Sequence, residues 1–245
     1  MDIQLFPDRH ALAFAAARHI AVQVERAPTS VLGMATGNTM TPLHAALVSL
    51  ARSGEIDFSK VVTFAIDEYV GVPRQHPGSC YARLRAQFFQ HVPVSRENIH
   101  FPDGQADSLT QACLVYEDEI QARGGIDLQI LGIGLNGHIG FNEPGTPFDS
   151  RTHVADLAAG TLAAKAPLFA GLGGPPRRGI TLGIGTVLQA RAILLLAFGS
   201  DKARILQRAL RGPVSPEVPA SAIQLHPQTV VMLDQSAAGE LGLAA

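Results

Sequence analysis

The chain is poor in lysine. Only Lys60, Lys165 and Lys202 stand among 19 basic residues, so arginine carries most of the positive charge. The formal net charge is -2 at pH 7, which excludes binding of nucleic acid or a membrane surface by bulk charge but not a local basic pocket. Cysteine is scarce as well. Cys80 and Cys113 lie far apart and form no C-x-x-C pair. That excludes a disulfide framework and leads us to expect two reduced thiols in a cytoplasmic protein. No stretch reaches the roughly 18 apolar residues of a membrane-spanning helix. The opening MDIQLFPDRH lacks the basic region and apolar run of a secretion signal. There is no H-E-x-x-H and no Cys/His ligand spacing, so no metal is expected. What is present is apolar bulk, 47% of 245 residues with 24 Gly and 16 Pro. That suffices to bury a core and is compatible with one large domain or two small ones.

Short apolar runs alternate with helical periodicity. DIQLF, SVLGMA (30–35), VVTFAI (61–66), NIHF, IDLQILGIG (126–134), GITLGIG (179–185), AILLLAFG (192–199) and TVVMLD (229–234) read as strands. Between them lie helical stretches. An alanine-rich one follows Pro7, and another carries Met40, Leu43, Leu47 and Leu50 on one face. SCYARLRAQFFQHV is a third. A fourth, Ser108 to Arg123, has the stripe Leu109, Ala112, Cys113, Tyr116 and Ile120, which makes Cys113 a core residue; Asp107 is its expected cap and Gly124-Gly125 its stop. SDKARILQRALRG (200–212) is expected to be capped by Ser200. Strands apolar on both faces, alternating with helices, predict a mostly parallel sheet covered by helices on both sides. The fold class is therefore α/β, a single Rossmann-like domain over residues 1–245. Residues 157–178, rich in Ala, Gly and Pro, break the rhythm and are expected to form a lid.

Ligands of an open parallel sheet collect beyond the carboxyl ends of its strands, and four polar stretches fall there. In GMATGNTMTP a strand enters a helix through Thr36, Gly37, Asn38 and Thr39, whose free N–H groups and hydroxyls suit a phosphate; no G-K-[ST] follows, and an ordinary capped turn is the alternative. In TFAIDEYVG, Asp67 and Glu68 follow a buried strand. Successive strand residues point to opposite sides, so one of the two faces a ligand; the alternative is a solvated turn. In LGIGLNGHIGFNEPG, His138 lies on a glycine-rich strand end with Asn136 and Glu143 close by, and the glycines permit a close backbone approach. Lys202 sits in the first turn of a helix, where a cation opposes the macrodipole unless an anion binds. Together these describe an anion pocket beside a carboxylate and a histidine, a place for proton transfer on a small phosphorylated molecule.

The blocks ATGNTMTPL, FAIDEYVGVPRQHPGSCY, LGIGLNGHIGFNEPGTPFDSRT, LGIGTVLQA, FGSDKA and IQLHP resemble the glucosamine-6-phosphate deaminase family, in that family's order and over nearly the whole chain. The resemblance implies conversion of D-glucosamine 6-phosphate and water to D-fructose 6-phosphate and ammonium, without a cofactor. It implies that His138 assists ring opening, that Glu143 supports its imidazole, and that Asp67 moves the proton from C2 to C1. Thr36, Gly37, Asn38, Thr39 and Lys202 would hold the phosphate.

Three departures qualify it. Many members have Asp where this chain has Asn136, whose carbonyl can still accept a hydrogen bond from His138. An arginine that many lids place over the phosphate is replaced by Pro167, leaving Lys165, Arg177 or Arg178 as substitutes. After SRT, His153 and Ala155 stand where allosteric hexameric members carry basic residues. A non-allosteric monomer or small homo-oligomer is expected. The alternatives are galactosamine-6-phosphate deaminase/isomerase, 6-phosphogluconolactonase, and a non-catalytic sugar-phosphate sensor. The lactonases tend to carry an Arg after the D-E pair, where this chain has Tyr69. Sensors are usually fused to a helix-turn-helix, which this chain is not expected to contain.

Overall fold

The computed structural model describes residues 1–242; the last three residues of the expected domain, 243–245, lie outside the described ones. In chain order the elements are β1 (Asp2–Phe6), α1 (Arg9–Arg26), β2 (Val31–Met34), α2 (Met40–Arg52), β3 (Val62–Ala65), β4 (Asp67–Tyr69), α3 (Cys80–Leu84) and β5 (Ile99–His100). Then come α4 (Leu109–Ala122), β6 (Leu128–Leu131), β7 (His153–Asp156), α5 (Ala159–Lys165), β8 (Arg178–Thr181), α6 (Ile184–Leu188), β9 (Ala192–Ala197), α7 (Ala203–Arg211) and β10 (Thr229–Asp234).

Seven strands pair in the order β1-β10-β9-β6-β2-β3-β5, every neighbouring pair parallel. The sequence reason is plain in β2, β3, β6 and β9, where nearly every side chain is buried. Such strands need cover on both faces. Helix α1 supplies part of it through Leu12, Ala16, Ile20 and Val24, spaced for one helical face. Because all seven strands run the same way, the segments after Met34, Ala65, Leu131 and Ala197 emerge at one edge of the sheet. The four polar stretches singled out above are those segments.

A second sheet, β4-β8-β7, is antiparallel and corrects the expectation that GITLGIG joins the parallel sheet. Its strand ends at Thr181 and pairs with the chain just past β3: Asp67 lies opposite Thr181 and Glu68 opposite Ile180. Leu182 N–H donates to the Ile66 carbonyl at 2.8 Å, tying the two sheets together. Two helix starts also differ from expectation. Ser108, not Asp107, caps α4, because the helix opens at Leu109 and the Ser108 hydroxyl accepts from Gln111 N–H at 3.3 Å. Ser200 makes no side-chain cap. The chain enters α7 through a 3₁₀ turn, Ser200–Lys202, after Gly199 at φ 92°, and Gly199 N–H donates instead to the Asp234 carboxylate at 3.0 Å.

Candidate active site

Asp67 and Glu68 leave the end of β3 on opposite sides, as strand alternation requires, and both are buried. Glu68 is consumed by structure. Its carboxylate accepts from the N–H groups of Tyr69, Cys80 and Tyr81 at 2.8, 2.9 and 2.9 Å, so it caps the start of α3. Asp67 has no such cradle. Its Oδ1 accepts from the Cys80 thiol at 3.2 Å. Burial raises its carboxyl above the ordinary range; Cys80, Lys165, His138 and Arg83, all within electrostatic reach, pull the other way. A carboxylate both buried and underprovided with donors is suited to accept a proton, whereas its neighbour with three backbone donors is suited to anchor the chain.

His138 lies over Gly134. A Cβ at Gly134 would sit 2.2 Å from His138 Cε1, so only glycine lets the imidazole fold back over this strand end. The ring Nδ1 is 2.7 Å from Asn136 Oδ1, and the Asn136 amide donates to Glu143 Oε2 at 2.7 Å. With Nδ1 as the donor, Nε2 is the ring atom left to exchange a proton. Glu143 is further held by the Thr161 hydroxyl at 2.6 Å and by Ala158 N–H at 3.2 Å, both from the lid. Burial opposes its ionisation, but His138, Thr161 and Asn136 outweigh burial and lower the carboxyl to about 2. Asn136 thus serves both expected neighbours at once: its carbonyl fixes the ring and its amide holds the carboxylate. His138 and Glu143 stand 3.6 Å apart at their nearest atoms.

Thr36, Gly37, Asn38 and Thr39 form the turn between β2 and α2. Gly37 has φ 119°, a conformation that other residues avoid, and Thr39 makes no side-chain cap bond. The first-turn N–H groups of α2 have no intrahelical partner by construction. Lys202 is partly buried rather than solvent-facing, and its Nζ donates to the Ile133 carbonyl at 2.9 Å. Burial lowers its pKa; Asp201 opposes this and Lys165 adds to it. No hydrogen bond among the described residues joins Lys202 to the Thr36–Thr39 turn. They flank the end of β6, which lies between β9 and β2.

The segment expected to form a lid folds as α5 followed by a 3₁₀ segment, Ala166–Leu172, that contains Pro167. Phe169 is fully buried, 4.9 Å edge-on to Tyr69 and stacked on His76 at 5.5 Å between centroids. Gly78 makes room for it, since a Cβ there would come within 2.6 Å of the ring. Of the three candidate lid cations, Arg177 and Arg178 are exposed and Lys165 is partly buried. Burial and Arg83 lower the pKa of Lys165, while Asp67 and Cys80 raise it. Sequence reasoning did not find Thr161 or Cys80 as members of the site. Nothing local marks them, because their partners are 18 and 13 residues away. Among the described residues, no three His, Cys, Asp or Glu side chains gather so as to hold a metal ion.

This arrangement offers a small anion-bearing substrate a place at the sheet edge, near a buried carboxylate and an imidazole whose Nδ1 is held by Asn136. The model of the family of glucosamine-6-phosphate isomerases and 6-phosphogluconolactonases matches residues 7–232. A glucosamine-6-phosphate deaminase of Rhodopirellula baltica is 45% identical over 98% of this chain and 96% of its own. One from Thermoanaerobacter pseudethanolicus is 42% identical over 91% and 88%. The solved structure of a monomeric glucosamine-6-phosphate deaminase superposes with a TM-score of 0.95 at 38% identity, covering 98% of this chain and all of that one (100%). A 6-phosphogluconolactonase from Thermotoga maritima reaches a TM-score of 0.77 at 21% identity over 96% and 99%, a likeness of fold alone.

Proposed function

The chain belongs to the family of glucosamine-6-phosphate isomerases and 6-phosphogluconolactonases, and from that premise we infer that it is an enzyme converting D-glucosamine 6-phosphate and water to D-fructose 6-phosphate and ammonium. The observation that carries the reading is the pairing of a buried, weakly hydrogen-bonded Asp67 with a His138 whose tautomer is set through Asn136 and Glu143.

His138 opens the sugar ring by moving a proton from O1 to O5. Asp67 then takes the C2 proton of the open aldehyde, and O1 takes a proton from the substrate's own 2-ammonium group to give the neutral enolamine. The proton held by Asp67 returns to C1, leaving an iminium at C2. Water adds to C2 and ammonia departs as ammonium, which leaves the ketone. Burial keeps the Asp67 carboxylate more basic than a solvated one, as proton abstraction from carbon requires. Glu143 stays ionised throughout and supports the imidazole through Asn136.

The phosphate is assigned to Thr36, Gly37, Asn38, Thr39 and Lys202, with Lys165 as the lid's cation in place of the missing arginine. The burial of Lys165 beside the site, against the exposure of Arg177 and Arg178, supports that choice. A monomer or small homo-oligomer without allosteric activation is supported by the monomeric state of the solved deaminase, with His153 and Ala155 at the positions where a basic effector site would be needed. A cytoplasmic location is supported by two free thiols. No helix among the described residues is long and apolar enough to cross a membrane.

The test is release of ammonium and fructose 6-phosphate from glucosamine 6-phosphate, run beside galactosamine 6-phosphate. We expect both products from the first substrate, with hyperbolic kinetics unaffected by N-acetylglucosamine 6-phosphate. Release from the galacto epimer alone would overturn the substrate, and release from neither would overturn the activity.

A further inference from the structure

Cys80 opens α3 and is 1% exposed. Its backbone N–H is fixed on Glu68, and its thiol reaches the residue beside Glu68, donating to Asp67 Oδ1 at 3.2 Å. On its other side the thiol sulfur accepts from the Thr36 hydroxyl at 3.5 Å. A chain of hydrogen bonds therefore runs from the turn assigned to phosphate, through one buried sulfur, to the carboxylate assigned as base. Among the described residues Asp67 Oδ2 takes no hydrogen bond from the protein.

We propose, resting on the assignment of Asp67 above, that Cys80 is a positioning residue for the reaction: its thiol holds Oδ1 of the base and leaves Oδ2 to take the C2 proton. Burial, together with the carboxylates of Asp67 and Glu68, pushes the Cys80 pKa well above its ordinary value, so the group is an S–H donor at neutral pH and neither a nucleophile nor an anion. A thiol is a weak donor. It orients the carboxylate while stabilising the ionised form less than a hydroxyl in the same place would, and that leaves more basicity for abstraction from carbon. The other groups facing Asp67 are Lys165 from the lid, Arg83 on α3, His138 after β6, Tyr116 on α4, and Glu68 and Tyr69 on its own strand. Their side chains are unaltered in the Cys80 variants, although Lys165 and Tyr69 also feel Cys80 directly.

The experiment is the pH dependence of kcat/KM on glucosamine 6-phosphate for wild type, Cys80→Ser and Cys80→Ala, with kcat and KM resolved separately. The stronger hydroxyl donor should move the acid limb to lower pH, and removal of the donor should move it to higher pH, each by about half a pH unit. In Cys80→Ala, kcat should fall by a larger factor than KM changes. Acid limbs that superimpose on wild type in both active variants would overturn the proposal. A readout on unsubstituted Cys80 guards against variants that fail to fold: the infrared S–H stretch, with Cys113→Ser to assign the two bands. The Cys80 band should lie below that of a free thiol and shift as Asp67 titrates, and a band at the free-thiol position that ignores pH would also overturn it. Wild-type protein that releases no ammonium would instead remove the parent assignment, while the infrared band still reports whether the thiol–carboxylate bond exists.

Discussion

Leu195 and Phe169 are both fully excluded from solvent, yet they are held by different means. Leu195 sits mid-strand in β9, paired to Val231 on one side and Leu131 on the other, inside the core. Phe169 hangs from a 3₁₀ segment, has non-helical dihedrals of -121° and 23°, and is buried against two aromatic rings, Tyr69 and His76. The first belongs to the parallel sheet, whose edge carries Asp67 and His138. The second belongs to the segment expected to cover them. The contrast teaches that the candidate groups stand on a cooperative sheet, while the cover is anchored at a few points, from which we expect it to open without unfolding the sheet. Thr161 of that segment donates to Glu143, so its packing also supports the chain of bonds to His138.

The strongest way to sharpen the comparison is to remove chemistry from the rigid edge without moving it. Asp67→Asn keeps the size and the partner thiol but cannot take a proton. We expect about a 1,000-fold loss of kcat and loss of C2 proton exchange with solvent, measured by NMR in deuterated water, with inorganic phosphate still binding. Exchange at near the wild-type rate would remove Asp67 as base.

The next test attacks the cover. Leu195→Ala should lower global stability by about 2–5 kcal/mol, the cost of a core cavity. Phe169→Ala deletes more surface, but we expect its cost to fall on the lid: KM rises about tenfold, equivalent to about 1.4 kcal/mol, cleavage within 157–178 accelerates, and the thermal midpoint barely moves. Equal drops in midpoint for the two variants would break the distinction between edge and cover.

The smallest effect is expected where the two regions meet. Asn136→Asp replaces an amide that donates to Glu143 with a second carboxylate beside His138. The new carboxylate can still accept from His138 Nδ1 but can no longer donate to Glu143. Activity should stay within about tenfold of wild type, because ring orientation is preserved. A loss of more than about a hundredfold would show that the amide's bond to Glu143 is required.

Much of this was legible in the sequence. The buried strands show as short apolar runs because both faces of a parallel sheet are covered. The placement of Asp67 and His138 at the sheet edge shows because polar groups directly after such runs must lie there. That Asp67 and Glu68 point to opposite sides follows from strand alternation, but which of them meets the backbone donors of α3 does not. The small sheet did not show, because the pairing of Asp67 with Thr181 is a long-range choice that no pattern local to GITLGIG marks. Among Lys165, Arg177 and Arg178, the sequence offers no preference; exposure alone separates them.

The sequence by itself determined the parallel sheet, the edge at which its polar groups gather and the residue types offered there, since all three follow from local periodicity and from where polar groups interrupt it. Only the tertiary structure decided the partners: that Asn136 bridges His138 to Glu143, that Thr161 donates to that carboxylate, and that Cys80, expected only to be a reduced thiol, donates to Asp67. Hydrogen bonds of about 3 Å demand a specific approach of side chains from separate elements, and no local pattern along the chain encodes the distance between elements that fold back from far away.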